Sequence, residues 1–175
     1  MTPVVLYLLI FHGVAGGVDV IFNHEIDQRL PQQPSARREQ LLHSLRELLF
    51  AILFASLAWF EWRGWASGFI VAVIAAEVVV STVDSVEEDR TRRLPVSERI
   101  LHSALLINVG IYTALLAPIL TIWQQSPTQL RVVDYGLPSA ILSTLALFAL
   151  GWSVRDAARY FKLRAVPALM PAVGK

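Results

Sequence analysis

Two glutamate–histidine pairs occupy matching places in the chain. Glu39-Gln40-Leu41-Leu42-His43-Ser44 is echoed by Glu98-Arg99-Ile100-Leu101-His102-Ser103, and each follows an Arg-Leu-Pro, at Arg29-Leu30-Pro31 and Arg93-Leu94-Pro95. Residues four apart share a helix face, so each phrase presents a carboxylate and an imidazole side by side. Upstream of each lies an aspartate in a similar setting, Val18-Asp19-Val20-Ile21 and Val83-Asp84-Ser85-Val86. Counted from these aspartates, Asn23 matches Glu88 and His12 matches Glu77. At about 100° per residue, positions seven apart drift by only about 20°. His12, Asp19 and Asn23 therefore share one helix face, and Glu77, Asp84 and Glu88 a second. Glu39, His43 and Glu47 share a third, and Glu98 and His102 a fourth.

Carboxylates packed together at a membrane surface need cations or protons to balance them. Carboxylates and imidazoles projecting inward from four helices are how bundle dimetal sites are built. Mixed oxygen and nitrogen donors suit Fe, Zn or Mn better than Mg or Ca. The expected ligands are Asp19, His43, Glu47, Asp84, Glu88 and His102, holding two divalent transition-metal ions, with His12, Asn23 and Glu77 as a second layer. No catalytic residue is singled out, and no haem or nucleotide motif is evident. No Glu-x-x-His pair occurs, which separates the set from the ferritin-like pattern.

The competing reading is a structural ion-pair network. In it Glu47 pairs with Arg46 or Arg99, and Glu39 and Glu98, nearest the loops, cap their helices or pair with arginine. His12 and Glu77, about 10 Å deeper by helical rise, would hydrogen-bond to each other. His24 and Glu25 point away from the Asp19 face of a regular α-helix. Glu87 and Asp89, beside Arg90 and Arg92, read as a solvated charge run.

The elements that must position these residues are membrane helices. Of 175 residues, 55% are hydrophobic and 17% charged, and the mean hydropathy is +0.53. Apolar stretches run over 3–22, 48–60, 65–83, 100–123 and 136–154, and a spanning helix needs about 20 apolar residues. The expectation is an all-α integral membrane protein of five transmembrane helices. Helix one covers 3–27, with Gly13 and Gly17 forming a G-x-x-x-G packing face. Helix two is capped by Ser35 and runs to about 62, and 61–65 makes a tight turn into helix three, 66–89. Helix four starts at Pro95 or Ser97, with Pro118 a candidate kink. A polar loop over 124–135 leads to helix five, 135–154. The echoes make helices one–two (1–64) and three–four (65–124) tandem hairpins, forming a pseudo-twofold four-helix bundle within one transmembrane domain. Helix five and the basic tail (125–175) are an addition.

Arginines crowd the 23–47 and 84–100 connections and the tail, whereas the other two connections hold only Arg63 and Arg131. The positive-inside rule then puts the N-terminus outside and the C-terminus in the cytoplasm of an inner (plasma) membrane. Trp59, Trp62, Trp65 and Trp123 fall at the outer ends and Trp152 near an inner one, as interfacial aromatics should. The first span reads as uncleaved. The chain has no cysteine, which removes thiolate chemistry, and a net charge of +1, so nothing points to nucleic acid.

The function expected is a membrane metalloenzyme of lipid metabolism, a diiron-type oxidoreductase or a metal-dependent hydrolase. Its substrate would be a lipid or isoprenoid at the cytoplasmic face, with Arg37, Arg46, Arg93 and Arg99 for an anionic head group. Two other readings stand beside it. Asp19-x-x-x-Asn23-x-x-x-Asp27 and Asp84-x-x-x-Glu88 resemble the spaced acidic motifs of Mg²⁺-dependent prenyl or phospho-alcohol transferases. A non-enzymatic small transporter, proton path or assembly subunit would use the buried acids and histidines directly, and five helices would then call for a homo-oligomer.

Overall fold

A computed structural model describes residues 1–165. The Pro/Ala-rich tail, expected along the inner surface, lies outside the described residues. The helices are α1 (Pro3–Asp19), α2 (Arg37–Trp59), α3 (Ser67–Thr91), α4 (Val96–Gln124) and α5 (Leu137–Ala165). All five are long and apolar enough to cross a membrane, the first of them counted through Asp27. Large apolar side chains such as Phe11, Leu106, Ile107 and Phe148 are exposed on the outward faces. A bilayer tolerates that surface, and water does not.

Prolines and glycines set the boundaries. Pro3 takes the first position of α1 and Pro95 the N-cap of α4, where a missing N–H costs nothing. α4 continues through Pro118. The expected serine caps are not used. Ser35 lies within a short 3-10 turn, Pro34–Ala36, and the N-cap position of α2 falls to Ala36 with no side-chain bond. Ser97 lies inside α4.

The end of helix two differs more. It stops at Trp59, and Phe60–Arg63 forms a strand, β1, in place of a tight turn. β1 pairs antiparallel with β2 (Gln129–Val132), drawn from the connection expected as a polar loop, with Phe60 opposite Val132 and Glu61 opposite Arg131. Main-chain pairing therefore satisfies the backbone that a turn would have left open. Gly64 follows at φ 60°, packed against the Thr128 backbone where a Cβ would collide. Glu61 takes Arg63 at 2.6 Å and Arg131 at 3.5 Å across the ribbon.

Helix α5 is no appendage. It lies along α2 for much of its length and also touches α1, while α1 packs on α4 and α2 on α3. Contacts within each sequential hairpin are sparse. Small residues let α5 approach: Ser44 Oγ donates to the Ser153 carbonyl at 2.9 Å, and Ser153 Oγ returns a bond to the Ser44 carbonyl at 2.8 Å. Near the sheet, Ser139 Oγ donates to the Ala58 carbonyl and Trp59 Nε1 to Ser143 Oγ, both at 2.7 Å. α5 also runs past 154, because Arg155–Arg164 continues the helix. The dry core, with Leu9, Phe54, Leu57, Tyr112, Leu116 and Leu142, fills the half nearer the sheet. Polar side chains gather at the opposite, basic end.

The glycines of α1 part company with the packing-face expectation. A Cβ on Gly13 would press on Leu145 and Phe54, so Gly13 is a close contact. Gly16 and Gly17 meet nothing within 4 Å. They border a cavity of about 810 Å³ that reaches from His102 and Glu88 down to Phe54 and Leu145.

Candidate metal centre

Local structure at the end of α1 decides the composition of the site. Val20–Asp27 is a π-helix, its wide turn closed by Gln28 N–H bonding to the Asn23 carbonyl, five residues back, at 2.9 Å. In a regular α-helix a residue five positions on from Asp19 would point well away from it. The wider turn returns it to the same face. His24, expected to point away, is consequently buried in the middle of the polar layer. Its ring stacks on His43, centroids 4.4 Å apart and 13° from parallel.

Around that pair each acid meets a partner from another helix. Asp19 Oδ2 lies 2.9 Å from His102 Nε2, and Asp84 Oδ2 lies 3.2 Å from His43 Nε2 and 2.9 Å from Arg46. Glu98 Oε1 lies 3.0 Å from His24 Nε2 and 2.6 Å from Arg92. Glu88 sits between His43 at 3.6 Å and His102 at 3.4 Å. Asn23 orients Asp19 by donating to its Oδ1 at 2.7 Å. Two sets of potential ligand atoms result, each mutually within 4.8 Å: Asp19, His24, Glu98 and His102, and then His24, His43 and Glu88. These buried groups could hold a metal ion, and His24 belongs to both.

Arg92 completes the layer. It donates to Glu39 at 2.8 Å and to both oxygens of Glu98 at 2.6 and 2.8 Å, and so is not part of a solvated charge run. Its burial opposes the charge, but the bonds to Glu98 and Glu39 outweigh that and hold its pKa above the ordinary arginine value. The pairing of Glu39 and Glu98 with an arginine is as expected. Glu98 also bonds His24, which gives it a place among the candidate ligands.

Charge and hydrogen-bond accounting test whether a cation fits. Five buried carboxylates, Asp19, Glu39, Asp84, Glu88 and Glu98, face two guanidinium groups, Arg46 and Arg92. The excess of negative charge can be met by protons, on the carboxylates or on His24, His43 and His102, or by divalent cations. Protonating all three histidines would set two imidazolium rings face to face at 4.4 Å, and like charges so close and so buried repel strongly. Among the described residues, His24 Nδ1, Asp84 Oδ1 and Glu88 Oε1 are buried without a hydrogen-bond partner, and so is His43 Nε2, whose near approach to Asp84 lacks the alignment of a bond. Native proteins leave few such atoms. Oxygen and nitrogen lone pairs left free in one layer are the donor set a transition metal takes.

Other expected members lie elsewhere. Asp84, paired with His43 and Arg46, and Glu47 are buried but outside both ligand sets. Glu47 faces α5, in the neighbourhood of Asp156 and Arg155, because α5 covers that side of α2. Arg155 in turn bonds Glu25 and Asp156, both at 2.5 Å. His12 and Glu77 do not bond each other. His12 Nδ1 lies 3.2 Å from Asn108 Nδ2 on α4, and Glu77 accepts the Ser81 hydroxyl, one turn along its own helix, at 2.6 Å. Arg46, expected to meet a head group, is committed to Asp84 instead. Arg37, Arg93 and Arg99 are exposed, and Arg99 borders the cavity.

No protein-family model, curated protein or solved structure matches the chain.

Proposed function

We propose that this chain is an enzyme of the inner (plasma) membrane whose polar layer holds two divalent transition-metal ions, Fe or Zn with Mn as a further candidate. The observation that carries the reading is the set of buried, unpartnered donors around the stacked His24 and His43. Asp19, His24, Glu98 and His102 would hold one ion, and His43 and Glu88 the other, with His24 between them. Such a pair supplies Lewis acidity, and either oxygen activation or an activated water. Three carboxylates and three imidazoles suit a diiron-type oxidoreductase, the reading taken first, with a metal-dependent hydrolase as the second. The substrate class is a lipid or isoprenoid, with exposed Arg37, Arg93 and Arg99 available to an anionic head group at the cytoplasmic face.

The pairing pattern supports the duplicated architecture. Asp19 of hairpin 1–64 takes His102 of hairpin 65–124, and Asp84 of the second takes His43 of the first. A twofold axis relating two hairpins would carry each of these contacts onto the other. Orientation with the C-terminus in the cytoplasm follows from the arginines at the end bearing the layer.

Centrally placed histidines count against the Mg²⁺-dependent transferase, which has no need of them. The proton-path reading has one observation in its favour, the His12–Asn108 contact and Glu77 bordering the same cavity. The deciding experiment is metal analysis after mild detergent extraction, with the His43→Ala/His102→Ala double variant alongside. Near-stoichiometric transition metal in the wild type and its loss in the variant is the expected outcome. Undiminished metal in the folded double variant removes the assignment, and a metal-free protein showing pH-driven ion flux in liposomes establishes the proton path in its place.

A further inference from the structure

The cavity beside the polar layer is too large to be a packing defect, and its walls have a definite chemistry. At about 810 Å³ it falls in the size range of ligand pockets, about 300–1,000 Å³. Its middle is apolar, with Phe54, Val109 and Leu145. Polar groups occur at two heights: Asp19 and His102 at the basic end, with Glu88 about one turn further out, and then His12 and Glu77, seven residues deeper than Asp19 on α1 and Asp84 on α3. By helical rise the two heights are about 10 Å apart. Glu77 lines this space, and its Oε2 is buried without a partner among the described residues.

The cavity also has a side opening. Val78, Thr82 and Val86 of α3 and Ser103 and Leu106 of α4 line it and are at the same time exposed. These positions lie within membrane-spanning segments, so the opening faces lipid. It arises because α3 and α4 touch little, like α1 and α2. α5 packs across the α1–α2 side, and among the described residues no helix does the same for α3 and α4. On the far wall Gly16 and Gly17 add width, since a side chain on either would stand in open space.

We propose that the cavity is a lateral chamber for one chain of a membrane amphiphile, admitted from the bilayer between α3 and α4. The chain lies against the Gly16–Gly17 face of α1, its polar end at the Asp19–His102 height. The His12–Glu77 height receives the part of the chain about 10 Å further along, where a hydroxyl would donate to the Glu77 carboxylate. The chamber stands on its own geometry, and only the reactivity at its polar end rests on the metal reading above.

The test uses full-length protein in lipid nanodiscs containing palmitic acid with a mid-chain diazirine, illuminated and mapped by peptide mass spectrometry. The expected label falls on the cavity-facing positions of α1 and α3. Gly17→Phe should lower it by about tenfold, equivalent to about 1.4 kcal/mol, while background labelling of outward-facing Ile107 and Ile111 stays constant. Label confined to those outward positions, or cavity label undiminished in Gly17→Phe, overturns the proposal. If Gly17→Phe does not fold, Val78→Trp on the exposed rim gives the same readout. Metal content is measured on the same samples. Glycine-sensitive labelling of a metal-free protein supports the chamber while refuting the metal centre, and metal without glycine-sensitive labelling overturns the chamber alone.

Discussion

Two layers of the same bundle use the same residue types to opposite effect. At the basic end, Asp19, Asp84 and Glu98 each face a histidine from another helix, and Arg46 and Arg92 add charge without satisfying every lone pair. Seven residues deeper, His12 meets the neutral amide of Asn108 and Glu77 a serine of its own helix. The first layer is built across helices from charged groups, and the second from neutral partners. Spacing along α1 and α3 is identical in the two cases, so periodicity could not have told them apart. The partners supplied by α2 and α4 make the difference.

Substitutions can break that contrast. The largest effect is expected for Asp84→Ala, which strands both His43 and Arg46 in a buried site. Orphaning one side of a buried pair costs about 3–5 kcal/mol, read as lost thermal stability in detergent. Arg92→Gln should cost about 3 kcal/mol by leaving Glu39 and Glu98 uncompensated, whereas Arg93→Gln, at an exposed position, should change stability by less than about 0.5 kcal/mol. Equal losses for the two arginines would contradict the placement of Arg92.

Metal affinity sharpens the comparison further. His24→Ala should weaken binding by at least about 100-fold, beyond the usual effect of an outer-shell partner, and His12→Ala by less than about tenfold. Titration of chelator-stripped protein separates the two. A small effect is expected for Glu77→Gln. Its amide oxygen can still accept the Ser81 hydroxyl, and stability should hold within about 1 kcal/mol. A larger loss would mean that the deeper layer carries charge after all.

Much of the architecture was legible because long apolar blocks leave one option for the backbone in a bilayer. The shared faces of Asp19, Asp84, His43 and His102 were legible too, since a 3.6-residue period holds through α2, α3 and α4. His24 was not. A π-turn changes the phase of α1 at Val20, and nothing in Val20–Asp27 announces an i→i+5 bond. Its clue was composition: a second histidine on an apolar helix, next to an asparagine. Glu47 was misplaced because its neighbour, α5, has no counterpart in the repeat, and Asp156 was missed for the same reason. The β1–β2 ribbon escaped notice because two four-residue strands so far apart in sequence have no periodic signature. Gly17 matched a packing motif that is satisfied only at Gly13.

X-ray absorption at the edge of the metal carried by the purified protein tests the central claim most directly. The expected spectrum has a mixed oxygen and nitrogen shell with the multiple scattering of imidazole. A shell of oxygen alone with no imidazole signature would contradict the assignment, as would a folded protein that binds no transition metal.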